Sequence, residues 1–184
     1  KEGIVNSTRN FVLVGKERHD VGRPNDQGYP VRGIIKDEFL YLRNFHPERW
    51  PSGNPETGYL NCDGSPAKTF ILDTRRKKGN WEYWQLNFGK RVPEELYNIV
   101  DDPYCMKNLI GVKDYAELKL ILETEMVQKL TEQGDPRIYG EGNIFENYPY
   151  QGEVQNYYNR YMAGEKVKAG WVNDSDYESN LTGF

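Results

Sequence analysis

The sequence predicts an α+β fold: a small antiparallel sheet with one long amphipathic helix packed on it, plus long irregular loops and a tail. Three stretches carry this reading. Val31–Asn44 (VRGIIKDEFLYLRN) holds two short strands around a Lys36-Asp37 turn. Tyr115–Gln133 (YAELKLILETEMVQKLTEQ) repeats apolar residues at helical spacing, and Phe11–Gly15 (FVLVG) is a short apolar run closed by glycine. A small sheet needs a cover for its apolar face, and the helix supplies one.

In chain order, Phe11–Gly15 is apolar throughout and reads as a buried strand. Lys16–Pro30 (KERHDVGRPNDQGYP) is polar and rich in Gly and Pro, so it is a long loop, and such loops in compact proteins tend to be functional or mobile. Val31–Asn44 follows as a β-hairpin with one face buried. Phe45–Ser65 is a second loop, dense in Pro, Gly and Asn, which carries Trp50 and Tyr59. Pro66–Asp73 begins as a helical turn, and the basic run Arg75–Lys78 reads as solvated. Trp81–Phe88 (WEYWQLNF) fits a strand or the side of a helix equally. A short strand follows at Glu95–Asn98, closed by Asp101-Asp102-Pro103.

The helix is the clearest element. Asp114 is placed to cap it, Leu118, Ile121, Leu122, Met126 and Leu130 form one apolar stripe, and Gly134 stops it. The rest, Arg137–Phe184, is rich in Tyr, Asn and Gly and reads as an irregular surface tail.

Composition bounds the function. The 184 residues fit one large domain or one small domain with extensions. Aliphatics are scarce, but 14 Tyr and 4 Trp supply ring area for a core. A formal net charge of -4 argues against general nucleic-acid binding, which needs a basic face. No apolar run approaches the length of a membrane span. No signal-peptide pattern stands at the start, and the chain opens at Lys1, which fits a mature or excised piece. Cys62 and Cys105 lie in no metal-ligand spacing and read as partly buried thiols, with a bridge between them left open.

Glu95–Asp135 (ELYNIVDDPYCMKNLIGVKDYAELKLILETEMVQKLTEQGD) resembles the end of the sulfatase family, where a pattern like E-L-Y-D-L-x-x-D-P-x-E-x-x-N-L precedes a helix and a segment such as G-D-P-R. The chain keeps Glu95, Leu96, Tyr97, Asp102, Pro103, Asn108 and Leu109. Asn98 stands where the family has Asp, and Cys105 near its usual Glu. Earlier in the chain, Gly15–Arg32 (GKERHDVGRPNDQGYPVR), Tyr41–Phe45 and Asn54–Ser65 resemble bacterial sulfatases similar to heparan N-sulfatase, as do Gly134–Gly140 and Asn147–Tyr150.

The resemblance implies a division of the chain. Residues 1–15 would end a catalytic α/β domain, 16–150 would form the sulfatase carboxy-terminal domain, and 151–184 an irregular tail. It also implies hydrolysis of sulfate esters or sulfamates of glycosaminoglycan-type sugars, in the periplasm or outside the cell. The calcium ion and the formylglycine nucleophile would belong to the catalytic domain. Formylglycine forms from Cys or Ser in a C/S-x-P/A-x-R motif. Cys62 is followed by Asp63-Gly64-Ser65-Pro66 and Cys105 by Met106-Lys107-Asn108-Leu109, so neither fits. The implied partners are the upstream catalytic domain and a sulfated sugar, and this chain alone would be inactive.

What remains here is one wall of a pocket. The loop Lys16–Asp26 leaves the end of a strand and carries cationic and polar groups that a sulfated sugar requires. The candidate substrate-binding residues are His19, Arg18, Asp20, Arg23 and Asn25. The blander reading pairs Arg18 locally with Asp20 or Asp26. His46 reads as a loop histidine bonded to backbone. Trp81, Tyr83 and Trp84 read as core. Two competing functions are a stand-alone carbohydrate-binding module, with Trp50, Trp81 and Trp84 as an exposed coplanar platform, and a hydrolase pairing Cys62 with His19, which lacks a third orienting group.

Overall fold

The computed structural model of the chain describes residues 10–19, 21–77 and 81–178. Its architecture is α+β. The described residues fall into two units, each discontinuous in sequence. Of the described residues, one draws on 10–16, 30–45 and 92–142, the other on those within 17–29, 46–91 and 143–178.

The first unit is the sheet and its helix. Strands β1 (Phe11–Lys16), β2 (Val31–Lys36), β3 (Phe39–Asn44) and β4 (Glu94–Asn98) are antiparallel in the order β1-β2-β3-β4. Asp37 takes a left-handed φ of 51° to close the β2–β3 hairpin. Period-two alternation puts Leu13, Ile34, Tyr41 and Leu96 in register across the sheet. Ile34, Tyr41 and Leu96 join one core with Leu122, Met126 and Leu130 of the long helix (Ala116–Glu132), and Leu13 packs against it. The strand Phe11–Gly15 is not buried throughout: Val12 is 57% exposed. β1 is an edge strand of a sheet whose core lies on one face, so its residues alternate in environment despite a uniformly apolar sequence.

The helix differs from expectation at two points. Asp114 does not cap it; a 3-10 turn, Lys113–Tyr115, leads in, with no side-chain cap. Ile121 is exposed and leaves the stripe, because one residue beyond the core-facing position the helix has turned about 100°. Gly134 ends the helix at φ +71°.

The sulfatase-like pattern that runs on from β4 works as a turn and packing device. Asn98 Oδ1 accepts the N–H groups of Val100 and Asp101, and Asp102 Oδ2 accepts that of Lys107. Asn108 Oδ1 accepts from Leu96 and Ile110, and Leu109 donates its N–H to the Leu96 carbonyl. The segment is thereby sewn along β4, and Leu109 is delivered to the core.

The second unit holds α1 (Pro66–Arg76), α2 (Glu82–Phe88) and α4 (Tyr157–Met162); with the long helix numbered α3, these are the helices in chain order. Ser65 caps α1 by accepting the Lys68 N–H, and Pro66 stands in the first turn, so the helical start at Pro66 continues to Arg76. The ambiguous aromatic stretch is helical, with Trp84 and Phe88 buried against Tyr59 and Leu72. The basic run is not simply solvated. Arg75 is buried over the rings of Trp81 and Trp84 and pairs with Glu178; Lys78 lies outside the described residues. The tail is largely irregular, yet it does more than cover a surface. Tyr157, Ala169 and Val172 close a core with Val21 and Leu60.

Candidate functional site

The loop carrying the predicted residues is held from beneath by Arg23. Its side chain is 1% exposed, and its guanidinium donates to the carbonyls of Trp50 at 2.6 Å, Pro51 at 2.8 Å and Gln27 at 3.2 Å. One residue earlier, Gly22 adopts φ +110°, and an added Cβ would meet the Leu60 Cβ at 2.8 Å. Its carbonyl accepts from the Asn54 N–H and the Thr57 hydroxyl. Backbone groups and buried donors thus fix the loop to residues 50–60.

Beyond this anchor, Asn25 and Asp26 both take left-handed φ, 55° and 53°. That conformation favours Asn and Asp among non-glycine residues. It also turns both side chains toward the tail. Asn25 N–H donates to Asn159 Oδ1 at 3.2 Å, and Asn159 Nδ2 returns a bond to Asn25 Oδ1 at 2.7 Å. Asp26 Oδ2 accepts the Asn156 N–H at 2.6 Å, where Asn156 is itself left-handed.

Between loop and tail lies a polar cavity of about 330 Å³, lined by Arg18, Asn25 and Asp26 on one side and by Tyr148, Tyr150 and Asn159 among others on the other. Arg18 ties the walls together: Nη2 donates to the Tyr148 carbonyl at 2.6 Å and Nη1 to the Asp26 carbonyl at 3.4 Å. Its guanidinium also lies 5.9 Å from the Tyr150 ring centre. Glu146, a further lining residue, accepts from Arg49 at 2.8 Å and from the Gly28 N–H at 3.2 Å. Burial pushes the Asp26 carboxyl above its usual range, against the Asn156 hydrogen bond and the Arg18 charge. The Tyr157 N–H also favours the charged form, while Oδ1 is enclosed and makes no hydrogen bond of good geometry.

The structure therefore brings together two of the five predicted residues, Arg18 and Asn25. His19 is exposed and does not line the cavity. Arg23 spends its donors on backbone carbonyls. Asp20 lies outside the described residues. Arg18 reaches the backbone carbonyl of Asp26, and the alternative pairing with Asp20 lies outside the described residues. The residues missed by sequence reading are those of the tail. They lie 118 to 134 positions away from their loop partners; Tyr148 and Tyr150 fall in the sulfatase-like segment Asn147–Tyr150, while no periodicity or motif marks Glu146, Asn156 and Asn159.

Other candidates look different in three dimensions. Trp84 is fully buried, and the Trp50–Trp84 and Trp81–Trp84 ring planes meet at 66° and 87°, so the three rings form an edge-on cluster and not a flat platform. Cys62 and Cys105 are free, and burial raises both thiols above their ordinary value, opposite to what an activated nucleophile needs. His46 Nδ1 lies 3.0 Å from Glu48 Oε1, a side-chain partner and not a backbone one. Among the described residues no cluster of His, Cys, Asp or Glu is arranged to hold a metal ion, and no helix is long and apolar enough to cross a membrane.

No protein-family model matches the chain. Two curated proteins, both ulvan-active sulfatases of Formosa agariphila, are similar to it. One is 27% identical over 111 residues, 60% of this chain, and the other 25% identical over 134 residues, 71% of this chain. The matched regions amount to 19% and 20% of those proteins, so the chain spans about a fifth of the relatives it matches. These similarities support a relationship to the sulfatases.

Proposed function

We propose that this chain is the carboxy-terminal region of a sulfatase acting on a sulfated polysaccharide, where it braces the catalytic domain and supplies one wall of the substrate pocket. The similarity to two sulfatases carries the reading. The turn and packing roles of Asn98, Asp102, Asn108 and Leu109 agree with it, since these are positions of the sulfatase-like pattern.

The reacting groups would come from the catalytic segment. Neither cysteine stands in a formylglycine motif, and no described cluster fits calcium, so no step of sulfate hydrolysis is assigned to these residues. Formylglycine, once hydrated, would supply the attack on sulfur. The contribution of this chain is to bind and orient the sugar. The likeness of residues 15–65 to heparan N-sulfatase-like enzymes favours a glycosaminoglycan substrate; the curated relatives act on ulvan. A periplasmic or extracellular site of action goes with either polymer.

The test is sulfate release from glucosamine N-sulfate, glucosamine 6-sulfate and ulvan oligosaccharides, with calcium, by the catalytic segment alone, by this chain alone and by the two joined. Release by the joined protein that exceeds release by the catalytic segment alone is the expected result. Release by this chain alone, or equal release with and without it, overturns the proposal.

A further inference from the structure

We propose that the cavity between residues 18–26 and 146–159 is a subsite for an uncharged, hydroxyl-bearing sugar ring, and that it does not hold the sulfate group. This rests on the sulfatase reading only for the source of the sugar.

The first observation is charge. A sulfate site needs an excess of cationic donors. Here Arg18 is the one cationic lining residue, against the carboxyls of Asp26 and Glu146, and Arg49 reaches Glu146 from outside the lining, which leaves no such excess. Two Arg18 nitrogens and one Arg49 nitrogen already donate to backbone carbonyls. The guanidiniums build the walls and do not converge on an anion.

The second observation is the orphaned acceptor. Asp26 is 6% exposed, one carboxyl oxygen accepts the Asn156 N–H, the Tyr157 N–H lies close enough to help hold the carboxylate, and Oδ1 makes no hydrogen bond of good geometry. Buried polar atoms are rarely left so, and a sugar hydroxyl is a donor of the right kind. The oxygen is covered at rest, so a hydroxyl reaches it only when the cavity wall around Asp26 shifts. The third observation is Tyr148, 57% exposed on the cavity wall, an aromatic surface for the apolar face of a pyranose. Amides of Asn25, Asn156 and Asn159 surround these groups, and each offers both donor and acceptor character to hydroxyls. About 330 Å³ is room for a ring of that size.

The test is ligand-observed NMR on the 184-residue chain with ulvan oligosaccharides before and after chemical desulfation. The expected result is binding of both, with no loss on desulfation. Tyr148→Ala, a change at an exposed ring, weakens binding about tenfold. Asp26→Asn, checked for folding by its amide spectrum, changes the contacted ring protons. Binding only of the sulfated series, no binding of either, or full affinity in Tyr148→Ala overturns the proposal. Sulfate release is measured separately. Binding that survives while the joined protein releases no sulfate keeps the subsite and removes the enzyme reading, and the converse result does the opposite.

Discussion

Arg32 and Asp135 meet as a two-pronged ion pair across 103 positions of sequence: Nε lies 2.6 Å from Oδ2 and Nη2 3.2 Å from Oδ1. The pair joins β2 to the segment just past the end of α3, and both side chains are largely buried. Burial pushes the Asp135 carboxyl up. The Arg32 hydrogen bonds, the Arg137 N–H and the two guanidinium charges more than offset it, so the carboxyl rests below its usual range. Stability from such a group is present above its unfolded value, about 3.9, and is lost as pH falls through the lower folded value. Asp135→Asn should destabilise the protein by about 2 kcal/mol at neutral pH. In urea titrations at several pH values, the gap between parent and variant should narrow below about pH 4.

Tyr59 and Glu178 give a second prediction. Tyr59 donates to Glu178 Oε2 at 2.5 Å and accepts from Trp84 Nε1 at 3.0 Å, while Glu178 also accepts from Arg75 and Arg76. Tyr59→Phe keeps the ring and removes both of these bonds, one of them to the buried Glu178 carboxylate. A loss of about 2–3 kcal/mol is expected, read by denaturant midpoint.

The two neighbours Leu122 and Ile121 should respond in opposite ways. Leu122 is 2% exposed in the sheet–helix core, and Leu122→Ala should cost about 2–4 kcal/mol. Ile121 is 51% exposed, and Ile121→Lys should change stability by less than about 0.5 kcal/mol. Thermal unfolding of the two variants separates a five-residue stripe from the narrower one seen here.

Arg23 serves as a brace, and its replacement should act on the loop before it acts on any ligand. Arg23→Lys cannot reproduce three donors in a planar fork. Faster amide hydrogen exchange at residues 22–28 is expected, with α3 unchanged.

Much of the fold was legible before the structure. Alternation at 31–44 gave the hairpin, helical spacing after residue 115 gave α3, and glycine at 134 gave its end, because these signals are local and follow from the geometry of strand and helix. The Glu95–Leu109 pattern was legible as a turn for the same reason. The polar loop after β1 could be recognised as a candidate site from its composition, and Arg18 and Asn25 do line the cavity.

What the tertiary structure decided is which of those residues face one another. Arg18, Arg23 and Arg75 are alike in sequence, yet one bridges two cavity walls, one braces a loop from below, and one is stacked on buried tryptophans. Asp26 has a role only because Asn156 reaches it from 130 positions away. Sequence by itself determines period and turn chemistry, which depend on neighbours along the chain. Burial, charge pairing and the shape of a cavity depend on distant segments meeting, and that is settled only when the chain folds.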